Sequence, residues 1–141
     1  MPRLTMASNV MVDSNVYIDL LRQRKDAVST LYDWAEFRGG GLVICGVIRL
    51  EVLRGLKSLQ AFQSISSLMD VMINIPSDDR LWREATDLAW NLDRQGTVIP
   101  GPDVVIAASA LRAGAMVMTS DAHFSQIEGL RVITPPKEWF G

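Results

Sequence analysis

Five short apolar runs constrain this chain more than any other feature. Val10–Val12, Leu42–Cys45, Val71–Ile75, Met116–Thr119 and Arg131–Ile133 are each too brief for a helix, and longer stretches with helical apolar spacing separate them. Strands that read as continuous apolar runs are covered on both faces, and strands alternating with helices build a parallel sheet. The predicted fold class is therefore α/β: a three-layer sandwich with a central, mostly parallel sheet flanked by helices.

The intervening helices have readable limits. Ser14 and Asn15 open one that reaches about Arg22. A second runs from Asp26 to Phe37, with Val28, Leu31, Trp34 and Ala35 at helical spacing, and stops at Gly39-Gly40-Gly41. Val47 to Arg54 is apolar nearly all round, which predicts a buried helix ending near Gly55. Leu59, Phe62, Ile65 and Met69 share one face of the next, and with Leu56 they are expected in the core. A long helix starts at Ser77–Arg80, carries Leu81, Trp82, Ala85, Leu88, Ala89 and Leu92, and stops at Gly96. Pro100-Gly-Pro-Asp103 opens another that runs to Ala113, with Pro102 in the first turn and Gly114 as C-cap. A short helix is expected from Asp121 to Ile127.

The length, 141 residues and 15.6 kDa, suits one domain spanning 1–141, with an N-terminal tail over 1–9 and a C-terminal tail over 134–141. Met6 is an alternative start, and Trp139-Phe140 are expected to pack on the body. A composition of 48% hydrophobic and 21% charged residues excludes a disordered chain. Fourteen Lys+Arg against sixteen Asp+Glu exclude a globally basic nucleic-acid binder, though not a local basic patch. One cysteine and one histidine exclude an internal disulfide, a cysteine-only zinc site and a histidine-rich zinc enzyme. No apolar run approaches the ~20 residues that span a membrane, and the N-terminus lacks a signal-peptide core, so a cytoplasmic setting is expected.

Ligand sites of open parallel sheets lie beyond the carboxyl ends of the strands. Asp13, Asp103 and Asp121 fall at such strand ends or at the helix starts that face them. Each alone also reads as an ordinary cap or first-turn acid. Glu51 lies, at 100° per residue, between Val47 and Ile48 on a largely apolar helix. A glutamate there needs a partner, whether an arginine such as Arg49 or Arg54 or a cation. Asp103 shares its helix face with Ala107 and Ala110, small side chains that allow close approach to neighbours. If the four carboxylates meet, two of them ~4 Å apart repel by roughly 4 kcal/mol at an effective dielectric of ~20. Raised pKa values or bound divalent cations must relieve this. Oxygen ligands suit Mg²⁺ or Mn²⁺, and in-line phosphodiester hydrolysis is the reaction such a site serves best.

The order and spacing of four segments resemble PIN-domain nucleases, and more closely the VapC-type toxins of type II toxin–antitoxin systems. The segments are Val12–Ile18, Arg49-Leu-Glu51 with Gly55, Asp103–Leu111, and Met118–Phe124. The resemblance implies a PIN-like fold and a divalent-metal-dependent endoribonuclease acting on tRNA or other structured or single-stranded RNA. It places Asp13, Glu51, Asp103 and Asp121 on the family's four acidic positions. Asp13 and Asp103 are implied as the main metal ligands, with Glu51 and Asp121 completing the site. Ser14 and Thr119 fall on hydroxyl positions that hold metal water or phosphate, and Asn15 matches a turn or supporting amide. A homodimer and a small cognate antitoxin protein are implied as partners, the antitoxin occupying a groove at the helices around Leu56–Met69, where some apolar surface is then expected.

His123, two residues after Asp121, reads as a structural or supporting residue rather than a general base, and Cys45 as a small core residue. Arg22, Arg24 and Lys25 read equally as a solvated turn or as phosphate contacts. Arg49 and Arg54 suit RNA, the acids or an antitoxin's carboxylates. Alternative readings are a housekeeping RNA-processing metallonuclease and a non-catalytic interaction module on the same fold. A haloacid-dehalogenase phosphatase is disfavoured because Asp13 is followed by Ser-Asn where Asp-x-Asp is needed.

Overall fold

The computed structural model describes residues 9–140. The expected tail therefore lies, apart from Asn9, outside the described residues, as do Met6 and Gly141. Strands β1 (Val10–Val12), β2 (Leu42–Cys45), β3 (Ile73–Ile75), β4 (Met116–Met118) and β5 (Val132–Ile133) form one sheet in the order β3-β2-β1-β4-β5. Every pairing is parallel; Val10 stands opposite both Leu42 and Met116. The α/β sandwich expected from the apolar runs is what forms. Strand β1 is central and wholly buried, whereas Ile73 and Asn74 on the edge strand β3 are exposed.

Six helices carry the crossovers: α1 (Ser14–Arg22), α2 (Ala27–Arg38), α3 (Gly46–Leu53), α4 (Leu59–Asp70), α5 (Asp79–Arg94) and α6 (Gly101–Ala113). From β1 the chain steps outward to β2 and then β3, and α1 to α4 pack against one another along that path. It then returns past β1 to β4 through α5 and α6, which pack together. Right-handed crossovers in opposite directions put these two groups on opposite faces. The reversal makes β1 and β4 neighbours, so the loops leaving their carboxyl ends diverge and open a crevice.

Local chemistry explains the helix limits. The side chains of Asp26, Ser58 and Asp78 accept from the amides of Ser29, Ala61 and Leu81, capping α2, α4 and α5. Gly39 (φ 83°) and Gly114 (φ 64°) end α2 and α6 in the left-handed region. Arg112 of α6 pairs with Asp78 at 3.0 Å and Glu84 at 3.1 Å, joining α6 to α5.

Several expectations need correction. Helix α3 is not buried all round: its packing is confined to the flank that carries Ile48 and Val52, and Leu50 is 62% exposed. On α4 the core takes Ile65, Leu68 and Met69, while Leu59 is 70% and Phe62 42% exposed, because α4 packs through its C-terminal half. Strand β3 begins at Ile73 rather than Val71, β4 ends before Thr119, and β5 excludes Arg131. The segment after Asp121 is a 3₁₀ turn over Ala122–Gln126. Trp139 does pack on the body, buried edge-on against Trp34 at 6.2 Å between ring centres.

Ala107 and Ala110 on α6 are fully buried, which is how that helix comes close to its neighbours. Ala107→Leu should lower stability by about 2–3 kcal/mol in urea unfolding, through overpacking, while Leu111→Ala, at a half-exposed position, should cost under about 1 kcal/mol.

Candidate active site

Asp13 is the residue immediately after β1 and the N-cap of α1, and it is 4% exposed. Its amide donates to the Met118 carbonyl of β4 at 2.9 Å, tying the ends of the two central strands together. Its carboxylate accepts from the Ser14 amide at 2.8 Å and from the Thr119 hydroxyl at 2.8 Å. The buried Thr119 is a hub, because its Oγ1 also accepts from the Asp121 amide at 2.9 Å and from Asn15 Nδ2 at 3.2 Å. Glu51, brought in by α3, accepts from the Ser14 hydroxyl at 2.9 Å. Arg49, one of the two arginines weighed as its partner, instead turns to Asp70 and to Ser66 Oγ.

Asp103 stands in the first turn of α6, and Asp121 caps the 3₁₀ turn after β4 by accepting from the His123 amide at 2.9 Å. All four predicted acids thus converge on the crevice at the β1–β4 reversal. Their mutual influence is visible in the ionisation of Asp13 and Asp103. Burial pushes the Asp13 carboxyl from 3.8 to about 6; its two hydrogen bonds oppose the rise, and the charges of Asp103 and Glu51 add to it. Asp103 is also raised, by burial first and then by the charges of Asp121 and Glu51, with His123 acting in the opposite direction.

Ser14, Asn15 and Thr119 are placed as supports: each orients an acid or another support through its side chain. Arg22, at the end of α1, is an exposed partner of Asp19 at 3.9 Å, and Arg24 and Lys25 are exposed beside it. Cys45 is buried, and burial pushes its thiol up, so it behaves as the core residue expected.

His123, read as a structural or supporting residue, lies against two of the acids. Its Nδ1 is sealed from solvent, 3.1 Å from Asp121 Oδ1 and 3.6 Å from Asp103 Oδ2, without hydrogen-bond geometry to either. Donor atoms of Asp103, Asp121 and His123 all lie within 4.8 Å of one another. A regular helix from Asp121 would separate residues two apart by 200°. The extended cap at Asp121 (φ −93°, ψ 124°) and the tight turn after it fold His123 back over Asp103. The donor set fits a divalent cation: hard carboxylates, with Asp103 among them pushed up by burial and by the charges of Asp121 and Glu51, and an imidazole nitrogen closed off from solvent.

A parallel α/β sheet with acids collected at its strand-order reversal defines the class of site. The profile of the PIN domain family matches residues 10–130, and the chain belongs to that family. No curated protein matches it significantly by sequence. Among solved structures it is similar to VapBC2 from Rickettsia felis bound to a DNA fragment from their promoter, with TM-score 0.73, 18% identity, and coverage of 91% of this chain and 99% of that one. It is similar also to DNA-bound VapBC from Salmonella typhimurium (TM-score 0.71, 20% identity, coverage 90% and 98%). The PIN domain endonuclease Utp24 shares the fold at TM-score 0.54 and 16% identity, with coverage of 96% and 90%.

A carboxyl whose folded-state pKa is raised favours folding below its unfolded value of 3.8, and that benefit is lost as pH rises through about 6. At pH 7 the ionised Asp13 therefore costs the metal-free protein roughly 3 kcal/mol. In EDTA at pH 7.5, Asp13→Asn should be more stable than the parent by about 1–2 kcal/mol, part of the relief being lost with the Thr119 bond. The difference should vanish below pH 4, as read by denaturant unfolding at each pH.

Proposed function

We propose that the chain is a Mg²⁺- or Mn²⁺-dependent endoribonuclease, the toxin of a toxin–antitoxin pair, that hydrolyses phosphodiester bonds in tRNA or other structured or single-stranded RNA. The observation that carries this reading is the convergence of Asp13, Glu51, Asp103 and Asp121 at the carboxyl ends of β1 and β4. Membership of the PIN domain family and the likeness to VapBC assemblies support it.

In this reading Asp13 and Asp103 are the main ligands of the cation, with Glu51 and Asp121 completing its shell. The bound cation supplies Lewis-acid polarisation of the scissile phosphate. The chain's own groups do the rest. The Ser14 amide and Thr119 hydroxyl hold the Asp13 carboxylate in one orientation and favour its charged form. Ser14 Oγ fixes Glu51, leaving that carboxylate to orient the attacking water and take its proton. Four carboxylates repel a polyanion, so RNA docks only once their charge is offset, with Arg22, Arg24 and Lys25 available for phosphates further along the strand.

The antitoxin belongs on the opposite flank of α3. A groove of about 390 Å³ between α3 and α4 is lined by Gly46, Arg49, Leu50, Leu53, Arg54 and Phe62. Its exposed Leu50 and Phe62 suit an apolar segment, and its two arginines suit an antitoxin's carboxylates. The working unit is a single domain over 1–141, acting as a homodimer in the cytoplasm; among the described residues no helix is long and apolar enough to cross a membrane. A housekeeping RNA-processing metallonuclease is the second reading, and the likeness to the PIN domain endonuclease Utp24 across 96% of the chain supports the nuclease part of it.

Purified, antitoxin-free protein should cut an RNA pool that includes tRNA at discrete positions with Mg²⁺ or Mn²⁺, and not with EDTA. Asp13→Asn and Asp103→Asn, prepared identically, should lower cleavage at least ~100-fold while keeping the fold by circular dichroism. Wild-type activity in either variant would refute the assignment.

A further inference from the structure

The acids account for a divalent cation, and His123 raises the question of which one. Its Nδ1 is closed off from solvent and faces carboxylate oxygens of Asp121 and Asp103 at ion-pair distance, without the alignment of a strong hydrogen bond to either. A nitrogen facing carboxylates at this distance is satisfied either by its own proton shared with them or by a cation seated between them. The two nearest oxygens, Asp121 Oδ1 at 3.1 Å and Asp103 Oδ2 at 3.6 Å, come from different elements, the 3₁₀ turn and α6. Neighbouring donors on one octahedral ion with bonds of about 2.1 Å stand about 3 Å apart, close to these separations. With the ring proton on Nε2, Nδ1 presents its lone pair toward the space that both carboxylates face. The backbone holds it there, because the His123 amide donates to the same Asp121 carboxylate at 2.9 Å.

We propose that His123 Nδ1 is a ligand of the cation held by Asp103 and Asp121, and that this nitrogen makes the site select Mn²⁺ over Mg²⁺. The inference rests on the metal-site reading above and sharpens it. Mg²⁺ takes oxygen ligands and parts with water reluctantly, so an imidazole adds little to its binding. Mn²⁺ shares the carboxylate preference of Mg²⁺ but, as a first-row transition ion, gains more than Mg²⁺ from a nitrogen donor added to such a site. Placed two residues after a ligand on a tight turn, the ring tunes a shared carboxylate site without altering its acids.

His123 is the only histidine in the chain, so labelling histidine with ¹⁵N in a tag-free protein reads this ring alone. Electron spin echo envelope modulation on the Mn²⁺-loaded protein should show ¹⁴N coupling that converts to ¹⁵N coupling on labelling and disappears in His123→Gln. Calorimetric titration should give Mn²⁺ at least ~10-fold tighter than Mg²⁺. His123→Gln should weaken Mn²⁺ binding ~10-fold or more and change Mg²⁺ binding less than ~3-fold. Mn²⁺ bound without histidine coupling, or equal losses for both ions, would overturn the role of His123 and leave the carboxylate site standing. Failure of the parent to bind either ion would overturn the metal-site reading as well.

Discussion

The candidate site depends on a buried carboxylate at the seam between two parallel strands. Asp13 follows directly on β1, its amide is bonded to the end of β4, and its side chain is almost closed off from solvent. A charge in such a place is unfavourable unless hydrogen bonds and a counter-charge hold it. The Ser14 amide and the Thr119 hydroxyl supply the bonds, and both come from segments that the β1–β4 reversal brings together. No cationic side chain pairs with Asp13 among the described residues, and the charges that act on it are those of the acids Asp103 and Glu51, which push its carboxyl further up. The sheet order therefore creates both the place for the carboxylate and its need for a counter-charge.

That electrostatic deficit links stability to function. A fold that keeps acids close, with no lysine or arginine paired to Asp13 among the described residues, loses stability at neutral pH and regains it when a divalent ion binds. The same balance governs access: in the proposed reaction the unloaded crevice repels a phosphate backbone, and the loaded one attracts it. Thr119 joins these effects by touching Asp13, Asn15 and Asp121 at one oxygen, so the geometry of both strand-end junctions passes through a single hydroxyl.

Much of this was legible in the chain. The apolar runs identified the strands because parallel strands are buried on both faces, and the acids could be placed because strand ends are where such sheets carry their sites. Glu51 stood out as an acid on an apolar helix, although its partner proved to be Ser14 rather than an arginine. The misreadings have a common cause. Apolar residues such as Leu50, Leu59 and Phe62 were assigned to the core by periodicity, which reports a face and not what covers it. His123 was placed as a supporting residue two positions after Asp121, and how near its ring comes to the acids was not legible. Only the extended cap and 3₁₀ turn, features with no strong sequence signal, bring the two side chains together.

The most direct test of the account is the thermal stability of the parent protein at pH 7.5 as Mn²⁺ is added to chelator-treated protein, beside Asp103→Asn. The account predicts that the parent gains stability with the logarithm of ion concentration, reaching about 2.7 kcal/mol at one hundred times the dissociation constant, while the variant gains almost none. A parent whose midpoint is unmoved by millimolar Mn²⁺, or a variant that responds equally, would contradict the claim that these carboxylates are gathered to hold a cation.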